Sequence, residues 1–469
     1  MPRSRGMWRL RSAVHGEADE PGSRGGHAGG GAGHAGRGAG TVWQAGPVPT
    51  LSEDLRFRGV VRQVTDDLVL TRIDADRLTA YIGFDPSAPS LHVGNLLQLV
   101  TLRRLQQAGH RPIALAGGGT GMIGDPGGKA GERALLTREQ LAEHLAGIRP
   151  QLERFVDLRD GLLLDNSAWL SSLPVLDFLR DVGKHFTVNQ MVAKESVRAR
   201  LEREGQGISY TEFSYMLLQA YDFLRLHEDH GCDLQVGGSD QWGNITMGVE
   251  LIRKTTGKAA YGITTPLVTK ADGTKFGKTE SGTVWLDPRL TSPYQLYQFF
   301  LRTDDAVAGA YLRYFTFLPH DQIAVLDAET EARPARRAAQ RALAREVCTL
   351  VHGEAEALRA ERAAEALFGE EIGTLDERTF LDVVGEAPST VVARVPFGGD
   401  GLPLVDAMVL SGLVASKAEA RRTIAQGGAY VNNRRVEDVD HRLGSSQLLH
   451  GRYLVLRRGR RQYHLLVAR

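Results

Sequence analysis

The chain has 469 residues, 42% of them hydrophobic and 24% charged, and a net charge of +1. That is the balance of a soluble globular protein, and too much chain for one compact core. No apolar run reaches the length that spans a bilayer, which excludes an integral membrane protein, and two distant cysteines, Cys232 and Cys348, exclude a disulfide scaffold and a cysteine zinc site while suiting a reducing cytoplasm.

Residues 1–46 include GSRGGHAGGGAGHAGRGAG, which offers nothing to bury and predicts a disordered Gly/Ala-rich extension. It lacks the apolar segment of a secretory signal. Arg3, Arg5, Arg9 and Arg11 would suit a transit peptide, but Glu17, Asp19 and Glu20 argue against one. From Leu51 the pattern turns globular. TAYIGFD and RPIALAG are short apolar runs that leave through glycine, as buried parallel strands do. Between them, SLHVGNLLQLVTLRRLQQAGH spaces its apolar residues at helical intervals, with Gly109 as a stop. Strand, helix, strand in this order predicts a βαβ unit and an α/β fold. DLQVGGSDQ reads as a later strand of the same kind, and PYQLYQFF as the start of a helical region. Residues 330–368 are rich in Ala, Arg, Glu and Leu and predict helix. GEAPSTVVARVPFGGDG reads as a linker.

The near-zero net charge conceals an asymmetry. From Leu402 to Arg469 there are 12 Lys+Arg against 5 Asp+Glu, a net of +7, so the rest of the chain carries −6. A small basic module on a mildly acidic body is the pattern of a polyanion-binding appendage.

Several motifs fail on inspection. GTGMIG, Gly119 to Gly124, matches the dinucleotide pattern in spacing, but Asp125-Pro126-Gly127-Gly128 breaks the helix that the pattern must open. GGKAGER lacks the upstream glycine and the Ser/Thr of a phosphate loop. His227, His230 and Cys232 cluster without a fourth metal ligand.

Two other stretches gain meaning together. In YIGFDPSAPSLHVGN a strand ends at Gly83, Asp85-Pro86 turns, and His92-Val93-Gly94-Asn95 opens a helix, whose N-terminus attracts phosphate. In KADGTKFGKTE, Lys270, Lys275 and Lys278 share a loop with Gly273, Gly277 and Thr279. Alone, the first is a polar helix start and the second a solvated loop. As a pair, they could clamp a triphosphate whose charge grows in a transition state. Further on, Tyr215, Gln219 and Asp222 stand at i, i+4 and i+7 of an otherwise apolar helix, so this polar face is expected to meet something polar inside the protein.

The His92–Asn95 segment resembles the HIGH signature of class I aminoacyl-tRNA synthetases, and Lys275–Thr279 resembles their KMSKS loop. Asn95 stands in place of the second histidine, and Phe276-Gly277 and Thr279 in place of Met-Ser and Ser. GGSDQWGNI (Gly237–Ile245) and YTEFSYMLLQAYDF (Tyr210–Phe223) resemble the tyrosyl branch in particular, and the likeness runs over about residues 51 to 469.

The resemblance implies ATP-dependent attachment of L-tyrosine to tRNA(Tyr) through tyrosyl-adenylate, with Mg²⁺ accompanying ATP and no tightly bound cofactor. It implies that His92, Asn95, Lys275, Lys278 and Thr279 serve the chemistry, and that Gly83, Asp85, Gly238 and Asp240, with His92, Asn95 and Lys278, hold ATP. Tyr215, Gln219 and Asp125 would hold the tyrosine ammonium, Asp222 and Tyr81 its phenolic hydroxyl, and Gln241 its carboxylate. It also implies a cytoplasmic homodimer joined through a helical insertion near residues 170–230.

The expected organisation is an extension over 1–46, a Rossmann-like parallel-sheet catalytic domain over 47–286, an α-helical domain over 287–370, a linker over 371–401, and a small α+β RNA-binding domain of ribosomal-protein type over 402–469. A tryptophanyl enzyme and an inactive RNA-binding relative are the alternatives. Asp222 and the basic module disfavour the first; Lys275, Lys278 and Asp240 disfavour the second.

Overall fold

A computed structural model describes residues 49–125, 135–202, 207–274, 276–279, 282–366, 370–385, 387–459 and 462–469. The extension expected over 1–46 lies outside them. The described chain opens with α1 (Leu51–Phe57), capped by Thr50, then a short edge strand β1 (Gln63–Val64) and α2 (Leu68–Ala75). The expected βαβ unit follows as β2 (Thr79–Phe84), α3 (Leu96–Gln107) and β3 (Arg111–Ala116). Gly109, at φ 96°, ends the helical run in a conformation that favours glycine.

Next come α4 (Arg138–Phe155) and β4 (Leu162–Asp165). Four short helices, α5 (Ser167–Leu170), α6 (Val175–Asp177), α7 (Val188–Val192) and α8 (Glu195–Leu201), then lead to α9 (Tyr210–His230). The Ser209 side chain caps the start of α9, and Gly231, in the left-handed region, ends it. After it run β5 (Cys232–Gly238), α10 (Trp242–Thr256) and β6 (Tyr261–Thr265).

These strands form one sheet in the order β1-β6-β5-β2-β3-β4, parallel throughout except where β1 meets β6. The chain winds outward from β2 through β3 to β4, then returns to place β5 on the other side of β2. Such a reversal opens a crevice at the carboxyl ends of the two central strands, where α/β sheets bind ligands. Side chains alternate along β2. Ala80, Ile82 and Phe84 join the core that α3 covers, while Tyr81 turns to the opposite face, among residues of α9 and α10.

A two-stranded ribbon, β7 (Lys278–Thr279) with β8 (Gly282–Thr283), precedes the helices α11 (Pro293–Leu301), α12 (Asp305–Phe315), α13 (His320–Ala332), α14 (Ala338–His352) and α15 (Glu354–Ala366). The helix expected over 330–368 is broken. Pro334 cannot continue α13, and Gly353, at φ 98°, separates α14 from α15. One apolar core runs from Leu96 and Val100 of α3 through Phe300, Phe315, Leu343 and Val347 of these helices.

The linker expected over 371–401 is corrected. It carries α16 (Glu377–Val384) and β9 (Ser389–Val392), whose β-branched run Thr390-Val391-Val392 suits a strand. β9 pairs in parallel with the last strand of the chain. The C-terminal unit continues with β10 (Leu402–Pro403), α17 (Leu404–Leu410), α18 (Lys417–Ala425), β11 (Ala429–Val431), β12 (Arg434–Val436), β13 (Arg442–Leu443), β14 (Tyr453–Arg458) and β15 (Gln462–Ala468). Its main sheet runs β12-β11-β14-β15-β9. Asn432 and Asn433, both at positive φ, make GGAYVNNRRV a hairpin of two strands. The unit has its own core of Val392, Leu404, Met408, Ile424, Leu454 and Leu466.

Candidate active site

Tyr81 is 1% exposed and Asp222 2% exposed, and together they make a buried polar spot in an apolar wall. Tyr81 reaches it from β2, its ring 5.3 Å from that of Phe223. Asp222 reaches it from α9. Trp169 Nε1 donates to Asp222 Oδ1 at 2.7 Å, and Asn166 Nδ2 donates to Oδ2 at 2.8 Å. Burial pushes the Asp222 carboxyl up to about 8 in spite of these two donors, with the Asp85 and Asp165 charges adding to the rise. The Tyr81 phenol is pushed well above its ordinary value by burial and by the Asp222 charge. Its hydroxyl is buried and has no hydrogen-bond partner among the described residues, although a buried hydroxyl without one carries a free-energy cost.

From Asp222 a chain of hydrogen bonds crosses the crevice. Asn166 Nδ2 also donates to Thr120 Oγ1 at 3.0 Å, Thr120 Oγ1 donates to Asp85 Oδ1 at 2.8 Å, and the Tyr215 hydroxyl donates to Asp85 Oδ2 at 2.8 Å. Burial and the Asp85 charge hold the Tyr215 phenol well above its usual range. A second chain lies on the other side. Gln241 Nε2 donates to Asp125 Oδ2 at 2.5 Å, and Asn244 Nδ2 donates to both Gln241 Oε1 and Gln219 Oε1 at 3.0 Å. The three polar residues of α9 are thus divided: Tyr215 and Asp222 belong to the first chain and Gln219 to the second. Tyr215 and Asp222 are buried and Gln219 is half-buried.

The other half of the crevice is lined by backbone. Gly83 and Gly238 sit at the carboxyl ends of the two central strands. A Cβ on Gly83 would meet no atom within 4 Å, so the strand end opens onto space. A Cβ on Gly238 would lie 2.5 Å from the Asp240 carboxylate. The turn before α3 is built by its own side chains: the Gly94 amide donates to His92 Nδ1 at 3.0 Å, and the His92 amide donates to Asn95 Oδ1 at 3.1 Å. Because Nδ1 accepts, the ring proton of neutral His92 belongs on Nε2. His92 Nε2 and Asn95 Nδ2 are therefore N–H donors at a helix start, which suits an anion.

The lysine loop lies against this turn. The Val93 amide donates to the Val284 carbonyl and the Val284 amide to the Gly277 carbonyl. Phe276 is buried beside Phe299, Phe300, Tyr311 and Phe315. The replacement of Met-Ser by Phe-Gly thus has a local cause: the phenylalanine fills an aromatic cluster, and the glycine lets the loop backbone approach. Lys275 lies outside the described residues, and for Lys278 and Thr279 only the backbone is described. Among the described residues no cluster of three or more His, Cys, Asp or Glu side chains could by itself hold a metal ion.

Sequence reasoning missed Thr120, Asn166, Trp169 and Asn244. A signal existed for the first two, since each follows the carboxyl end of a strand, β3 or β4, beside the point where strand order reverses. Trp169 and Asn244 have no such mark.

Comparison with known proteins adds to this geometry. The family model described as tRNA synthetases class I (W and Y) matches residues 74–369, and that of the tyrosine--tRNA ligase SYY-like C-terminal domain matches residues 385–466. A tyrosine--tRNA ligase from Roseiflexus castenholzii is 55% identical over 421 residues, 89% of this chain and 99% of that protein. One from Mycobacterium tuberculosis is 53% identical over 416 residues, 87% of this chain and 96% of that protein. The crystal structure of a C-terminally truncated mitochondrial tyrosyl-tRNA synthetase from Aspergillus nidulans superposes with a TM-score of 0.62 at 34% identity, covering 69% of this chain and 95% of that one.

Proposed function

The chain belongs to the class I tRNA synthetases of the tryptophan and tyrosine group, and from that premise we propose how its crevice attaches L-tyrosine to tRNA at the expense of ATP. The observation that carries the choice of tyrosine is the Tyr81–Asp222 spot. An amino acid side chain ending in a hydroxyl would donate to the Asp222 carboxylate, already ordered by Asn166 and Trp169, and accept from the Tyr81 hydroxyl. Phenylalanine would leave both buried groups unsatisfied.

In the first step a tyrosine carboxylate oxygen attacks the α-phosphorus of ATP. A P–O bond forms, the bond to the β-phosphate oxygen breaks, and pyrophosphate leaves. Tyr215, Gln219 and Asp125 hold the ammonium, and Gln241, fixed by Asp125 and Asn244, places the carboxylate. Gly83, Gly238, Asp240 and Asp85 accommodate the nucleoside. His92 and Asn95 donate to the phosphates, and Lys275, Lys278 and Thr279 close over them. Magnesium enters as part of the ATP substrate, on its phosphates. No protein nucleophile takes part, so the rate rests on positioning and on charge stabilisation. In the second step a hydroxyl of the terminal tRNA ribose attacks the tyrosyl carbonyl and AMP leaves.

Exposed Arg421, Arg422, Arg434 and Arg435 on the C-terminal unit suit RNA phosphates, and we take this unit to begin near residue 387 rather than 402. Val175, Leu176, Leu179 and Val188 of the insertion are large, apolar and exposed, and a second copy of the chain would cover them in a homodimer. No helix among the described residues is long and apolar enough to cross a membrane, and we place the protein in the cytoplasm. Charging of bulk tRNA with radiolabelled tyrosine tests this reading; transfer of tryptophan in its place would overturn it.

A further inference from the structure

The lysine loop is anchored on α12, and the His92–Asn95 turn opens α3, which is itself tied to the end of α12. Phe276 of the loop lies against two residues of that helix, 5.0 Å from the Tyr311 ring and 5.3 Å from the Phe315 ring, the second pair stacked at 15°. The Tyr311 hydroxyl donates to the Thr269 carbonyl at 2.8 Å, holding the root of the loop as well.

The carboxyl end of α12 is gripped by arginines at the end of α1 and on α3. Arg58 Nη1 donates to the Thr316 carbonyl at 3.0 Å and Arg58 Nη2 to the Leu318 carbonyl at 2.8 Å, while Arg104 Nη2 donates to the Thr316 carbonyl at 2.9 Å. Cationic donors suit the unpaired carbonyls at a helix end. Asp54 ties the two arginines together, accepting from Arg58 Nε at 2.7 Å and from Arg104 Nη1 at 3.1 Å, and His320 Nε2 lies 2.7 Å from the same carboxylate. Arg58 is 3% exposed and Arg104 5% exposed. A buried ion cluster of this kind is weak as a source of stability, because desolvation offsets most of the attraction; its contribution is to fix register.

Arg104 belongs to α3, and α3 begins at the His92–Asn95 turn. One helix therefore carries the turn at its amino end and is tied near its carboxyl end to α12, while α12 carries the loop. We propose that Arg104, held by Asp54 beside Arg58, is a positioning residue for adenylate formation, setting the gap between turn and loop through α3 and α12. This rests on the reading of that gap as the ATP site. Tyrosine is held elsewhere, by α9 and the ends of β2 to β4, so displacing α12 disturbs ATP and leaves tyrosine in place.

The test compares Arg104→Lys and Phe315→Leu, singly and together, with the wild-type chain. Lysine keeps the charge but lacks the planar fork whose separate nitrogens bond Asp54 and the Thr316 carbonyl; leucine keeps an apolar side chain but removes the stack on Phe276. Tyrosine dissociation constants, and kcat and KM for ATP in tyrosine-dependent pyrophosphate exchange, are read for each. The expected result is tyrosine binding within about twofold of wild type, with kcat/KM for ATP lower by about tenfold or more in each single variant. The double variant should lose less than the product of the two, because both act through α12. Should Arg104→Lys fail to fold, Phe315→Leu decides the matter by the same readings. Exchange kinetics like those of wild type in the folded variants, or a parallel loss of tyrosine binding, would overturn the inference. A wild-type chain without tyrosine-dependent exchange would overturn the reading of the site itself, and the inference with it.

Discussion

Gly277 lies directly against Val93: a Cβ at Gly277 would stand 2.7 Å from Val93 Cγ2 and 3.4 Å from the Gly94 amide nitrogen, and φ at Gly277 is 84°. Two stretches 184 positions apart in the chain thus meet with only the Val93 side chain between them, and the residue that allows it is one of those at which the loop departs from the family's KMSKS signature.

Gly277→Ala should therefore impair the ATP half of the reaction. An alanine there carries both the strain of a left-handed backbone and a collision with Val93, so the loop must withdraw. The expected outcome is a fall of about tenfold or more in kcat/KM for ATP with tyrosine affinity retained. Pyrophosphate exchange at varied ATP, alongside equilibrium tyrosine binding, checks it; unchanged exchange would show that the contact has no part in activation.

The Asp222 spot should set the preference for tyrosine over phenylalanine. Tyr81→Phe removes the orphan hydroxyl, and Trp169→Phe removes one of the two donors that order the carboxylate. Each change should weaken use of tyrosine by about 1–3 kcal/mol, with little loss for phenylalanine, so the ratio of the two kcat/KM values shrinks. A ratio that stays at its wild-type value in both variants would remove the assignment.

The sequence announced about half of this site. Strand ends at Gly83 and Gly238, the helix start at His92 and the polar face of α9 are local patterns, written in glycines, caps and helical spacing. The strand order that places β5 beside β2 is not local, and neither is the path that carries Asn166 and Trp169 to Asp222; these depend on which sheet edge each strand joins. The same blindness turned β9 into a linker. Ser389–Val392 is flanked by Pro388 and by the Gly/Pro-rich VPFGGDG, and its partner β15 lies at the far end of the chain.

Binding of tyrosine should be linked to protons. Asp222 ionises near 3.8 in an unfolded chain and at about 8 in the folded, unliganded one. Its contribution to stability is fully present below about pH 4 and is lost as pH rises to about 8. A phenolic hydroxyl donating to this carboxylate favours the ionised form and lowers its pKa, so binding at pH 7 should release about one proton, and affinity should fall as pH drops below about 8. Calorimetry in buffers of different ionisation enthalpy reads the proton directly, and Asp222→Asn should abolish its release. Tyrosine affinity flat from pH 6 to 8, with no proton released, would contradict the linkage.

The C-terminal unit should be separable from activation. Its core is its own, but Tyr453, Val455 and Leu465 also touch the core that runs through the helical region. Removing residues 387–469, so that β9 leaves with its sheet, should preserve exchange at somewhat lower thermal stability and should abolish most tRNA charging, whose affinity in the full chain should drop steeply with salt. Charging that survives the deletion would place the RNA contacts elsewhere.

The most direct test is amino-acid-dependent ATP–pyrophosphate exchange by the purified chain, with tyrosine, phenylalanine and tryptophan compared at equal concentration. Exchange that depends on tyrosine, responds weakly to the other two and collapses in Lys278→Ala with tyrosine binding intact is the predicted result. Exchange with tryptophan instead, or exchange that Lys278→Ala leaves unchanged, would contradict the account.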